Sequence, residues 1–140
     1  MTSVELIRAP ALSPAPYAYA ATAPAGSRLI FLACSCPLAP DGTTVSPGDH
    51  AAQAQRCVEN LRAALEATGA TLEDVISTRV LVASHAREDL VTAWDVVATA
   101  FGPHDAPSTL MGVTVLGYPD QLVEIEAVAA IAHNALDAPA

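Results

Sequence analysis

The sequence predicts an α+β fold, a single mixed sheet with two helices packed on one face. Three observations lead there. Apolar positions recur at helical spacing in two separated stretches, His50 to Thr68 and Ser84 to Phe101. Short apolar runs of strand character precede, separate and follow those stretches. The last third, PSTLMGVTVLGYPDQLVEIEAVAA, reads as two strand patterns around a Gly117-Tyr118-Pro119-Asp120 turn. Strands, a helix, a strand, a helix and a final hairpin make a layered domain over residues 1–140, with one sheet face covered and the other bare.

Val4 to Arg8 is apolar enough for a short first strand, whereas Pro10 to Pro24, rich in Ala and Pro, reads as a loop or edge segment. Arg28 to Cys34 is a buried-looking strand, and Pro40-Asp41-Gly42 marks a turn. In the first helix Ala54, Cys57, Val58, Leu61 and Leu65 form the apolar stripe, with Asp49 as N-cap and Gly69 as stop. Val75 to Val82 is a strand with Ile76, Thr78, Val80 and Val82 on one side. Ser84 is placed to cap a second helix whose stripe is Leu90, Trp94, Val97 and Phe101. In the last strand Val123, Ile125, Ala127, Ala129 and Ile131 share one face, leaving Glu124 and Glu126 on the other.

Several segments carry a family resemblance. VEIEAVA after a strand opening Pro-Ser-Thr resembles the end of the YjgF-type reactive-intermediate deaminases, the Rid proteins. Pro16-Tyr17 is similar to their Pro-Tyr-Ser-Gln segment, and Cys34-Ser35-Cys36-Pro37-Leu38 stands where relatives have Gly-Gln-Ile-Pro-Leu. Ala52-Gln53 and Glu59-Asn60-Leu61 match the family's first helix, and Phe101-Gly102 closes its second. The resemblance implies a chorismate-mutase-like subunit of a homotrimer, with clefts between neighbouring chains. It also implies hydrolysis of an imine or enamine, with the Glu at position 124 directing water onto the substrate carbon. Tyr17 and Cys34 become cleft residues on the same grounds. Family members often read Pro-Ala-Arg-Thr-Thr-Val-Gly-Val before the last turn. Aligned on Gly112-Val113, this chain has Ser108 where they carry an arginine, and a shift by one residue offers Pro107 or Thr109 instead. That arginine grips a 2-imino acid carboxylate through a bidentate pair, which a single hydroxyl cannot reproduce. Trp94 similarly replaces an asparagine of the second helix, and serves either as core or as pocket wall.

Composition narrows the function further. The chain is 52% hydrophobic and 4% aromatic, so its core is built from Ala, Val and Leu, and the surplus of apolar surface favours an oligomer. All six basic residues are Arg; without lysine, Schiff-base catalysis is excluded. A net charge of −9 argues against nucleic acid, although some Rid proteins have been called ribonucleases. No basic flank precedes a long apolar run, so neither a signal peptide nor a membrane span is expected. Three cysteines point to a reducing, cytoplasmic setting. The Cys34/Cys36 pair lacks a second pair at metal-ligand spacing and the four histidines match no metal motif, so no metal or cofactor is expected.

Glu124 is the first catalytic candidate, since a partly buried carboxylate can hold or relay a proton; the alternative is a structural glutamate. Tyr17, Cys34, Trp94, Ser108 and Thr109 are the substrate-binding candidates. The preferred function is a pathway-specific Rid-like enzyme acting on an imine, enamine or related reactive intermediate without the arginine grip, a cleft suited to a larger, neutral or cationic substrate. A non-catalytic binding or regulatory trimer comes second, and an ordinary 2-imino acid deaminase with an arginine supplied from elsewhere third.

Overall fold

The computed structural model describes residues 2–133. Two short strands, β1 (Glu5–Ile7) and β2 (Ala20–Thr22), pair antiparallel, the second arising within the segment read as loop or edge structure. Ala flanked by threonine tolerates extended pairing there because the prolines fall outside Ala20–Thr22. The main sheet holds β3 (Arg28–Phe31), β4 (Val75–Ala83), β5 (Ser108–Val113) and β6 (Val123–Ile131) in the order β3-β6-β4-β5. Helices α1 (His50–Glu66) and α2 (Arg87–Phe101) cover one face, and a 3-10 turn at Leu72–Asp74 leads into β4.

The expected final hairpin does not form. β5 pairs parallel with β4, and β6 lies antiparallel on the other side of β4. The connection through α2 returns β5 parallel to β4 and takes that edge. Only the far side of β4 is left for β6, whatever the turn between β5 and β6 looks like.

The helices form as their stripes require. Asp49 caps α1 by accepting from the Ala52 N–H at 2.9 Å, and Gly69 follows with φ 83°, a left-handed conformation that glycine adopts without strain. Ser84 acts earlier than expected. Ala86 occupies the N-cap of α2, while the Ser84 hydroxyl accepts from the Ala86 N–H and donates to the Asp89 carboxylate. A bulge between Val75 and Ser77 puts Val75 into the core in place of Ile76. Ala54, Cys57, Val58, Leu61 and Leu65 of α1 pack on Val80, Val82, Val123, Ile125 and Ala129 of the sheet. Each fully buried Leu or Ile contributes about 1.5–3 kcal/mol. His104 is buried, and its Nε2–H donates to the Val75 carbonyl at 2.7 Å.

The opposite sheet face carries Leu29, Phe31, Arg79, Thr109, Glu124 and Glu126 with no helix over it among the described residues. Leu29 is 57% and Phe31 76% exposed. No described helix is long and apolar enough to cross a membrane.

Candidate functional site

On β6, Val123, Ile125, Ala127 and Ala129 are buried against the helices, so the alternation turns Glu124 and Glu126 to the open face, as the sequence pattern requires. Glu126 pairs with Arg79 of β4, whose Nε donates to its carboxylate at 2.8 Å. Glu124 has different company. Its Oε1 accepts from Gln121 Nε2 at 3.3 Å and lies 3.5 Å from the Cys36 sulfur, which is in turn 3.7 Å from the Cys34 sulfur.

A break in strand pairing brings the cysteines there. Phe31 is opposite Val128 and Ser35 opposite Ile125, four steps along one strand against three along the other. Without the extra residue, Cys34 would stand opposite Ile125 and face the helices. With it, Ser35 takes the inward place, exchanging backbone hydrogen bonds with Ile125 at 2.7 and 3.0 Å. Cys34 and Cys36 therefore flank it on the open face. Cys34 is exposed and Cys36 buried.

Helix α1 holds both sides of this cluster. Asn60 Nδ2 donates to the carbonyls of Cys36 (2.8 Å) and Leu38 (3.0 Å). Gln53, wholly buried, donates to the Asp120 carbonyl at 2.9 Å and accepts from the Leu122 N–H at 2.7 Å.

The remaining candidates gather elsewhere. Thr78 and Ser108 are register partners on the helix-covered side, where their hydroxyls lie 2.6 Å apart. Ser108 shares a cleft with Pro16, Trp94, Phe101 and Ala106, and Tyr17 packs edge-on against Trp94 with ring centroids 6.3 Å apart. Thr109, one residue on, is on the open face opposite Arg79. Of the six sequence candidates, then, Glu124, Cys34 and Thr109 share the open face, while Tyr17, Trp94 and Ser108 form a separate group behind the sheet.

A family model described as Endoribonuclease L-PSP matches residues 8–131. The chain belongs to the YjgF/Rid family. It is similar to a RutC family protein of Pyrococcus horikoshii, 33% identical over 115 residues that span 81% of this chain and 86% of the relative. A second RutC family protein, from Pyrococcus abyssi, is 33% identical over 101 residues, 71% of this chain and 76% of that one. Among solved structures, the Rid family protein YyfB of Yersinia pestis superposes with a TM-score of 0.84 at 28% identity, covering 93% of this chain and all of the other. Escherichia coli TdcF, solved with bound serine, gives 0.65 at 28% identity over 94% of this chain and 100% of its own.

The cysteine–carboxylate cluster of this Rid-family chain carries shifted thiols. Burial raises the Cys36 thiol to about 12, and the neighbouring Cys34 and Glu124 push in the same direction. Cys34 is raised as well, first by desolvation and then by its hydrogen bond with Glu124. Both sulfurs are thus held as neutral thiols beside a carboxylate. Residue types and spacing did not reveal Arg79 on the open face, nor Gln121, Gln53 and Asn60 as the groups that fix the cluster. One signal was available. Gln53, Cys57, Asn60 and Leu61 lie on one side of a helix turn pattern, so Gln53 is a polar side chain inside the buried stripe and Asn60 one at its border.

Proposed function

We propose that this Rid-family protein hydrolyses an imine, enamine or related reactive intermediate, with Glu124 as its acid/base and without the family's arginine grip. The observation that carries this reading is the placement of Glu124: half-buried on the open sheet face, hydrogen-bonded by Gln121, and separate from the Arg79–Glu126 ion pair. In the reaction, the Glu124 carboxylate accepts a proton from water as the water oxygen bonds to the imine carbon. The same proton then passes to nitrogen, giving a carbinolamine. Glu124 next takes the hydroxyl proton and delivers it to nitrogen as the carbon–oxygen double bond forms and the carbon–nitrogen bond breaks, so that ammonia or an amine leaves with a carbonyl product. Serine bound to the related TdcF supports a small-molecule ligand of amino-acid size. A net charge of −9 speaks against RNA as substrate despite the family model's description. The working form is a cytoplasmic homotrimer whose subunits cover one another's open faces.

Glu124→Gln tests this. The amide is nearly isosteric, so assembly and melting temperature stay as in the parent while activity on the substrate falls about 10²–10⁴-fold. A lower melting temperature with turnover per folded molecule retained would assign Glu124 a structural role and favour the non-catalytic binding protein.

A specific observation favours a second reading. Arg79 is the register partner of Thr109, on the same open face. From there it can take the place of a carboxylate-binding arginine once Glu126 is displaced, and the chain then acts on 2-imino acids. Coupling an amino-acid oxidase to the protein separates the two. The first reading expects turnover of simple 2-imino acids far below that of an arginine-containing relative. The second expects comparable turnover that Arg79→Gln abolishes.

A further inference from the structure

The same cluster has a capacity that proton transfer does not use. Cys34 Sγ, Cys36 Sγ and a Glu124 carboxylate oxygen all lie within 4.8 Å of one another. Two of the three separations are already shorter, at 3.7 Å between the sulfurs and 3.5 Å from Cys36 to Glu124 Oε1. A tetrahedral zinc ion bonded at about 2.3 Å to sulfur and about 2.0–2.2 Å to a carboxylate oxygen spaces sulfur from sulfur by about 3.8 Å and sulfur from oxygen by about 3.6 Å. Those two edges match before any side chain moves.

We propose that Cys34, Cys36 and Glu124 form a three-ligand site for a thiophilic divalent cation, of which zinc fits best. Two sulfurs and one carboxylate are a donor set suited to zinc and poorly suited to magnesium or calcium, which take oxygen ligands. The surroundings are those of a built site. The break after Phe31 and the Ser35–Ile125 pairing fix both cysteines on one face, Asn60 pins the Cys36 carbonyl, and Gln121 orients the carboxylate. Cys34 is exposed, which leaves a path for the ion and a fourth position for water or a ligand. Cys57 lies apart, its thiol directed to the Val123 carbonyl at 3.5 Å. Binding displaces one proton from each thiol to solvent, so the site takes up the ion more tightly as pH rises. The ion and the hydrolytic reaction compete for one carboxylate, so the inference goes beyond the proposed function and does not need it.

Cobalt(II) titrated anaerobically into the fully reduced full-length protein is the direct test. One equivalent per chain should give the visible absorption of a tetrahedral cobalt thiolate with a sulfur-to-metal charge-transfer band, and zinc should bleach both. The Cys34→Ser/Cys36→Ser variant should lose the charge-transfer band while keeping the parent's circular dichroism and melting curve. No charge-transfer band in the reduced parent, or a band that survives in that double variant, overturns the proposal. Neither result bears on the Glu124→Gln activity test, which is run with chelator present and so separates the two claims.

Discussion

At the scale of single residues, the thiols beside Glu124 give the most direct chemical readout. Cys36 is raised to about 12, chiefly by burial, so protonated thiol is the folded state's preferred form. A group raised on folding stabilises the fold below its ordinary value and withdraws that support as pH climbs through its folded one. The contribution of Cys36 is therefore present at neutral pH and lost as pH rises from about 9 to about 12. Reactivity follows the same sign, because the thiolate is the nucleophile. Iodoacetamide should modify exposed Cys34 before Cys36, and both more slowly at pH 8 than a free thiol. Replacing Glu124 by Gln removes one cause of the shift and should speed alkylation of Cys34 at fixed pH. An unchanged rate, followed by mass spectrometry, would mean that the carboxylate does not act on the sulfur.

At the scale of elements, α1 is the template on which the cluster is assembled. Gln53 ties down the segment entering β6, and Asn60 ties down the segment leaving β3, two turns further along the same helix. Gln53→Leu would remove the wholly buried amide that the Leu122 N–H and the Asp120 carbonyl bond to, a loss of about 1–3 kcal/mol, read by urea denaturation. Activity should fall as well, since Gln121 and Glu124 follow directly. Retained stability would show that water replaces the amide. Gly112 is a second fixed point. A Cβ there would meet the Ser84 backbone oxygen at 2.7 Å, so Gly112→Ala should destabilise the junction of β4, α2 and β5 by about 1–3 kcal/mol. Element type was legible in the sequence wherever a period was sustained: both helices, and the inward residues of β6. Partner choice was not. Alternation in β5 and β6 states which side chains point inward, and says nothing about which strand lies alongside; the βαβ connection decided that. The facing of Cys34 and Cys36 was equally hidden, because one unpaired residue reverses parity without marking the sequence. In β5 the alignment on Gly112-Val113 points to Ser108, and its neighbour Thr109 is the residue on the face of Glu124.

At the scale of the whole molecule, the uncovered sheet face dominates. Leu29 and Phe31 stand exposed at its β3 edge, beside residues of the candidate site. If three chains cover these faces, Phe31→Glu should convert the trimer to smaller species in light scattering, while circular dichroism stays unchanged. A parent protein that is monomeric at micromolar concentration would remove the shared cleft altogether. The pairing break after Phe31 matters here for another reason. It divides one stretch of chain into an edge portion, carrying Leu29 and Phe31, and a chemical portion, anchored independently by Ser35 and Asn60. Inheritance can therefore act on the two separately. A lineage can redraw the surface by which its subunits recognise each other without re-aiming the sulfurs, and can exchange the sulfurs without disturbing recognition.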